Sequence, residues 1–161
     1  MIKGIKNSWL IDDTYNSSPQ SSIAALGALN NVSAAADYTK MLRRKIAVFG
    51  DMLELGSYTE DGHRLVGKKV FEAGVDELIA VGERARDIGR GAQEVGMKEE
   101  SIFYFPNSDE AKTFVKERIK EGDLILVKGS QGARMEKIVK EIMAEPLLAR
   151  ELLVRQEREW E

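Results

Sequence analysis

The sequence predicts an α/β fold: a three-layer, Rossmann-like domain with a mostly parallel sheet of about five or six strands and helices on both faces. Short continuous runs of Ile, Val and Leu recur along the chain, and such runs are typical of strands buried on both faces. Between them lie segments whose apolar residues repeat with helical spacing. Alternating strands and helices build a parallel sheet, because right-handed crossovers place the helices against its faces.

The predicted strands are apolar runs bounded by turns or charged residues. The four strongest runs cover residues 9–11, 46–49, 78–81 and 124–127. A weaker run at residues 102–105 stops at Pro106, and residues 2–5 are expected to form an edge strand paired with residues 9–11. Together these runs account for the expected five or six strands.

Capping signals divide the segments between the strands. Ser18 before Pro19 is typical of a helix start, and the run from Ser57 to Glu60 matches a capping box. Gly74 and Gly122 are predicted helix stops, since each comes just before a strand. Residues 31–44 are expected to hold a helix end and a loop. Apolar residues at helical spacing indicate the last two helices: Ala111, Phe114, Val115 and Ile119, then Met135, Ile138, Val139 and Ile142.

Composition limits the class of protein. The 161 residues, 43% of them hydrophobic, suit one domain, predicted at 1–143 with a helical tail at 144–161 packed on it. With 24 basic and 27 acidic residues and no basic stripe, nucleic acid is not an expected partner. The chain has no cysteine and one histidine, which argues against a zinc site, and no metal site is predicted. No apolar run could span a bilayer, so we expect no membrane insertion and a cytoplasmic location.

Ligands of an open parallel sheet bind beyond the carboxyl ends of its strands. The segment at 12–19 there carries two carboxylates, a phenol and an amide on a turn leading into a helix. A carboxylate such as Asp13 can accept ribose hydroxyls, and a helix start favours phosphate. Asp and Asn are also common turn and capping residues, so both interpretations stay open on the residues alone.

The segment at 128–132 has the pattern of an anion nest. Its two glycines, Gly129 and Gly132, allow tight turning, and Lys128 adds a cation suited to a carboxylate or phosphate. An ordinary glycine turn with an exposed lysine explains the pattern equally well.

Asp51 and Glu54 are expected at the same edge of the sheet, where paired carboxylates recognise an ammonium group or orient a loop. Both are also common surface residues. His63 attracts interest as the one histidine, although a lone histidine more often satisfies a local hydrogen bond. Residues 62–69 have the spacing of a phosphate loop, but they lack the preceding strand and the final Ser or Thr, and they fall within a predicted helix.

Taken together, these segments resemble the C-terminal domain of Mur ligases, most closely of the members that add D-alanyl-D-alanine. The resemblance covers about residues 5–143. Its stretches, in the family's order, are Ile-Asp-Asp-Thr-Tyr-Asn-Ser-Ser-Pro at 11–19, Phe-Gly-Asp-Met-Leu-Glu-Leu-Gly at 49–56 followed by His63, Ala-Val-Gly at 80–82, and Val-Lys-Gly-Ser-Gln-Gly-Ala-Arg-Met-Glu-Lys at 127–137.

The resemblance implies ATP-dependent amide formation in peptidoglycan synthesis. A carboxylate of UDP-N-acetylmuramoyl-tripeptide becomes an acyl phosphate, and the amine of D-alanyl-D-alanine attacks it. ATP and Mg would be held mainly by a central domain, so the implied partners include the N-terminal and central domains of the same ligase. The domain encoded here is expected to close over the nucleotide with the incoming dipeptide.

The resemblance also assigns site residues. Asp13 would contact the ATP ribose, with Tyr15 and Asn16 near the nucleotide. The residues facing the incoming dipeptide would be Lys128, Gly129, Ser130, Asp51, Glu54 and His63.

No phosphate loop and no UDP-sugar region are found in the sequence, so no catalytic residue is expected in this domain alone, and alone it should be inactive. One alternative is a stand-alone Rossmann-like binding or regulatory module, which the coding sequence upstream of Met1 would distinguish. Another is a flavodoxin-like or receiver-like interaction domain, which strong flavin binding would favour.

Overall fold

The computed structural model describes residues 1–35 and 44–153. Its strands are β1 (Ile2–Lys3), β2 (Trp9–Asp13), β3 (Lys45–Gly50), β4 (Glu77–Val81), β5 (Ile102–Phe105) and β6 (Leu124–Lys128). Its helices are α1 (Pro19–Ala34), α2 (Thr59–Glu72), α3 (Arg86–Glu94), α4 (Ser108–Arg118), α5 (Glu136–Ile142) and α6 (Ala149–Leu152).

The strands form one six-stranded sheet in the order β1-β2-β6-β3-β4-β5. All neighbouring pairs are parallel except β1 with β2, where Ile2 lies opposite Leu10. This arrangement confirms the predicted fold class, including the edge strand. The last strand in the chain, β6, occupies the middle of the sheet between β2 and β3.

Two hydrophobic cores cover the two faces of the sheet. Helices α1, α2 and α3 pack on one face, against Phe49, Leu78 and Leu126 among others. Helices α4 and α5 pack on the opposite face, against Val48 and Val127 among others. Successive residues of one strand thus enter opposite cores, as the two-residue repeat of a strand requires. Both faces are buried, which explains the unbroken apolar runs in the sequence.

Helices α2 and α3 approach each other so closely that their backbones touch. A Cβ atom on Gly67 would collide with the carbonyl oxygen of Ile88, and one on Gly91 would collide with the carbonyl oxygen of Arg64. Glycine is therefore the one residue that fits at these two crossing points.

The predicted start of α1 is confirmed, whereas that of α2 is wrong. Ser18 caps α1 and forms a reciprocal capping box with Ser21. Ser57 does not cap α2, because the left-handed turn at Gly56 (φ +58°) starts a 3₁₀ helix, Gly56–Tyr58, from which α2 continues without a side-chain cap.

The two predicted helix stops differ in outcome. Gly74 (φ +65°) comes directly after Ala73, the C-cap residue of α2, as predicted for a helix stop. Gly122 (φ +79°) lies in the turn before β6, four residues after α4 ends at Arg118, so it is not that helix's stop.

A buried charge network closes the amino end of the sheet, opposite the predicted site. Arg44 makes two hydrogen bonds to Asp123, of 3.0 and 2.7 Å, and one to Glu77 of 2.8 Å. Arg118 also binds Glu77. Asp123 is fully buried just before β6. The network therefore connects the start of β6 to Glu77 at the start of β4 and to Arg118 at the end of α4.

The chain beyond α5 returns along the edge of the sheet. The Ala144 amide donates to the carbonyl of Lys3, and Leu153 is buried in the core that contains α4 and α5. The rest of the predicted tail, and the loop predicted to follow α1, lie outside the described residues. Within the ranges 1–35 and 44–153, no helix has the length and hydropathy to cross a membrane.

Candidate functional site

The strand order creates a crevice at the carboxyl end of β6. The loops after β2 and β3 lead to helices on one face of the sheet, whereas the loop after β6 leads to α5 on the other. Neighbouring loops that diverge in this way leave a gap above the strands, which is where open α/β sheets bind ligands.

A cleft of about 470 Å³ occupies this crevice. The described residues that line it are Tyr15, Asn16, Leu53, Glu54, Ser130, Gln131 and Gly132. They come from all three loops, so the structure brings together the segments after β2, β3 and β6 that the sequence singled out. The volume lies within the range of small-molecule sites.

Lys128 joins two of these loops beneath the cleft. It lies opposite Asp13 in the β2–β6 register, and its Nζ donates to Asp13 Oδ2 at 2.7 Å and to the carbonyl of Asn16 at 2.8 Å. Lys128 is 1% exposed, whereas the Asp13 side chain is 41% exposed. The lysine thus fixes the β2–α1 loop from below instead of reaching the cleft.

Ser130 joins all three loops. Its hydroxyl accepts a hydrogen bond from the Leu53 amide at 3.0 Å and lies 3.5 Å from the carbonyl of Ser17. Its own amide donates to the carbonyl of Asp51 at 3.1 Å. Gly129 permits this contact, because a Cβ atom there would meet Met135 at 2.5 Å and the Gly50 Cα at 3.3 Å.

Asp51 and Glu54 do not share one cavity. Asp51 Oδ1 accepts a hydrogen bond from the Ala85 amide at 2.7 Å and so anchors the loop after β4. Asp51 lines a second, smaller cavity of about 140 Å³ with Gly82 and Asn107. Glu54 lines the main cleft, is exposed, and has a left-handed backbone with φ +65°.

His63 is fully buried and holds the loop after β3 against α2. Its Nε2 accepts from the Met52 amide at 3.0 Å, which leaves Nδ1–H to donate to the carbonyl of Thr59 at 2.6 Å. Burial lowers the pKa of His63, because desolvation disfavours the charged ring. The imidazole therefore supports the loop, and it is not among the described residues that line the cleft.

The segment at 128–132 departs in part from the predicted anion nest. Neither Gly129 nor Gly132 has a positive φ, and the amide of Ser130 donates to the carbonyl of Asp51. Its tight turns instead pack β6 against β3. The near-match to a phosphate loop at 62–69 lies inside α2, as expected.

A metal ion finds no set of ligands in the part of the chain that the structure describes. There, no group of three or more His, Asp or Glu side chains is placed to hold one. No step is therefore assigned to a metal held by the described residues.

Sequence reasoning missed two features of the site. It predicted neither the burial of Lys128 nor the roles of Leu53 and Asn107, because these depend on which strands are neighbours. The sequence held one signal for the burial of Lys128: Asp13 and Lys128 each stand at the end of a buried apolar run, so they can lie opposite each other on neighbouring strands.

Comparison with known proteins agrees with this geometry. The family model of the Mur ligase glutamate ligase domain matches residues 1–131. UDP-N-acetylmuramoyl-tripeptide–D-alanyl-D-alanine ligase of Bacillus subtilis is 33% identical over 147 residues, and the enzyme of that name from Escherichia coli is 33% identical over 141. These alignments cover 91% and 86% of this chain but 30% and 28% of the relatives.

Solved structures give the same result. MurF from Acinetobacter baumannii superposes with a TM-score of 0.66 at 27% identity, covering 86% of this chain and 29% of that one. A domain from a putative UDP-N-acetylmuramate:L-alanyl-gamma-D-glutamyl-medo-diaminopimelate ligase of Haemophilus ducreyi, 17% identical, shares the fold with a TM-score of 0.56 over 88% of this chain and 94% of that one. The chain thus spans under a third of the full-length ligases it matches, and it belongs to the Mur ligase family, corresponding to its C-terminal, glutamate ligase domain.

Proposed function

We propose that this chain is the nucleotide-closing and dipeptide-receiving domain of an ATP-dependent ligase that adds D-alanyl-D-alanine to UDP-N-acetylmuramoyl-tripeptide. The observation that carries the proposal is the cleft at the strand-order switch, built from three loops in a chain whose relatives bear that name. The remaining parts of the ligase would supply the phosphate loop, the metal ligands and the UDP-sugar site.

In the proposed reaction, the γ-phosphoryl group of ATP passes to the tripeptide carboxylate and gives an acyl phosphate and ADP. The neutral amine of the dipeptide then attacks the carbonyl carbon, and as the tetrahedral intermediate collapses the amide bond forms, phosphate leaves and the nitrogen releases its remaining extra proton to solvent. This domain would exclude water and hold the amine in line with the carbonyl, since positioning supplies much of the rate enhancement of two-substrate reactions.

Residue roles in this proposal follow the geometry of the cleft. Asp13, Tyr15 and Asn16 belong to the loop after β2 and are assigned to the nucleotide. Asp13 would meet the ribose through the part of its carboxylate that remains exposed. Lys128 is reassigned from substrate contact to positioning, because its ammonium binds Asp13 and the carbonyl of Asn16.

Two further assignments accompany the proposal. Because ATP and nucleotide-linked sugars are cytoplasmic metabolites, we place the assembled enzyme in the cytoplasm. We also retain the division into a domain at 1–143 and a tail at 144–161 packed on it, which the burial of Leu153 supports.

The test is reconstitution. Mixed with a separately expressed fragment that contains the N-terminal and central domains, the chain should form the amide and release ADP in equal amounts, whereas alone it should do neither. Asp13→Ala should abolish the recovered activity, and Glu83→Gln, on a loop outside the cleft, should not. Rapid ATP turnover by the chain alone would contradict the proposal.

Reconstitution also distinguishes the proposed ligase domain from the alternative function, a stand-alone binding module. That module would leave the complementary fragment inactive, and the coding sequence upstream would not continue into a phosphate-loop domain.

A further inference from the structure

Both ring nitrogens of His63 are used, and only the neutral ring can use them in this way. The imidazole is fully buried, and its Nε2 accepts the hydrogen bond of the Met52 amide at 3.0 Å. Its Nδ1–H donates to the carbonyl of Thr59 at 2.6 Å. A second proton would have to bind Nε2, because a protonated imidazole is a donor at both nitrogens. That proton would point at the Met52 N–H, so the protonated ring loses this contact.

The charged groups around His63 do not compensate for a positive ring. Asp51 in the loop after β3 and Asp87 on α3 favour its protonation, whereas Arg84 in the loop after β4 opposes it. On α2 itself, the adjacent Arg64 is paired with carboxylates of α2 and α3, and α1 has no charged side chain. Desolvation is the largest effect and lowers the pKa of His63 from 6.5.

A small set of hydrogen bonds holds the loop after β3 in addition to the one from Met52 to His63. The Leu53 amide donates to Ser130 Oγ at 3.0 Å, and the carbonyl of Asp51 accepts from the Ser130 amide at 3.1 Å. These bonds connect loops, and none of them belongs to the ladders of the sheet. Opening the loop exposes Met52 but leaves the six strands paired, so it should cost less free energy than unfolding the whole domain.

We infer that His63 is a pH-sensitive switch: protonation of its ring releases the loop after β3, and the main cleft opens while the sheet stays folded. Leu53 and Glu54 line that cleft, so their release removes one of its walls. The inference concerns the assembly of the cleft and is independent of the ligand that binds there.

The direction of the effect follows from the environment of the ring. In the open loop the imidazole meets water and its pKa returns toward 6.5, so opening takes up a proton below that pH. The open fraction should therefore rise by up to about tenfold for each pH unit below 6.5, until the lower pKa of the closed form is reached.

Hydrogen exchange of the Met52 amide, followed by NMR on the full chain, tests the switch. Exchange is catalysed by hydroxide, so an ordinary amide exchanges more slowly as the pH falls. For Met52 the rising open fraction should offset this decrease. Its exchange rate should be nearly independent of pH from 6.5 down to about pH 5, a range in which the carboxylates stay ionised. The Leu53 amide, released by the same opening, should behave in the same way.

Two controls isolate the ring. The Ala144 amide donates to the carbonyl of Lys3 at the edge of the sheet, and its exchange should slow as the pH falls. His63→Gln replaces Nε2 by an amide oxygen that accepts a hydrogen bond and does not titrate near neutral pH. In that variant the exchange of the Met52 amide should also slow as the pH falls.

Exchange of Met52 that slows in proportion to hydroxide below pH 6.5 in the unmodified chain would overturn the inference, as would pH-independent exchange that persists in His63→Gln. So would exchange of Met52 as slow as that of Leu126 in the middle of the sheet, because the opening would then be global unfolding. If His63→Gln does not fold, the pH profile of the unmodified chain and the comparison with Leu126 decide. A failure of reconstitution would refute the proposed function and leave the switch intact.

Discussion

Lys128 is buried and its partner Asp13 is partly exposed, so removing one partner of this ion pair should cost more stability than removing the other. Asp13→Asn leaves an ammonium without a counter-charge at a position that is 1% exposed, and breaking a buried pair in this way costs about 3–5 kcal/mol. Lys128→Met leaves a carboxylate that water can reach, because the Asp13 side chain is 41% exposed. Its main cost is the carbonyl of Asn16 left without a donor, about 1–3 kcal/mol.

Urea unfolding of both variants measures this difference. The free energy of unfolding should be about 2 kcal/mol larger for Lys128→Met than for Asp13→Asn. In thermal unfolding, the two melting temperatures should differ by about 4–8 °C, since 1 kcal/mol corresponds to about 2–4 °C for a chain of this size. The double variant should be more stable than the sum of the two losses predicts.

Lys116→Met serves as the matched control, because Lys116 and Glu141 form an exposed pair with side chains 51% and 34% exposed. That pair should be worth less than about 1 kcal/mol. If Lys128→Met proved more damaging than Asp13→Asn, burial of the ammonium would not be the dominant contribution, and the positioning role of Lys128 would lose its physical basis.

Two further predictions concern the support of the site. Burial lowers the pKa of His63 from 6.5, so below that pH the unfolded chain binds a proton that the folded chain does not. The free energy of unfolding should therefore fall as the pH drops below 6.5. It should fall less steeply in His63→Gln, which has no imidazole to protonate. Gly67→Ala should cost about 3 kcal/mol or more in urea unfolding, because its Cβ meets the Ile88 carbonyl. The control is Gly27→Ala, because Gly27 is exposed in α1 and a Cβ there would meet nothing within 4 Å. This substitution should stabilise the chain by about 0.5–1 kcal/mol. Equal effects of Gly67→Ala and Gly27→Ala would contradict the close contact between α2 and α3.

The fold was predictable because its signals are local. Each buried strand is a short apolar run whose composition does not depend on its neighbours, and Ser18 before Pro19 marks a helix start by its own chemistry. The predicted cap at Ser57 failed for a local reason too, since Gly56 turns the backbone before the helix can begin there.

The site was only partly predictable, because its chemistry depends on strand order. In sequence, Lys128 looks like an exposed cation next to glycines. Its burial follows from the insertion of β6 beside β2, which sets Lys128 opposite Asp13. The separation of Asp51 from Glu54 likewise depends on the loop after β4, which supplies the Ala85 amide.

The position of β6 also governs when the site can exist. While the protein is being synthesised, β2 has no parallel neighbour until residues 124–128 leave the ribosome, since Lys128 follows Asp13 by 115 residues. A nascent chain shorter than this can pair β1 with β2 and can pair β3, β4 and β5, but it leaves one edge of β2 and one edge of β3 unpaired and aggregation-prone. Contacts this distant in sequence form slowly. Release of β6 should therefore be the step that completes the cleft, and products of premature termination should retain much of the sheet without any site.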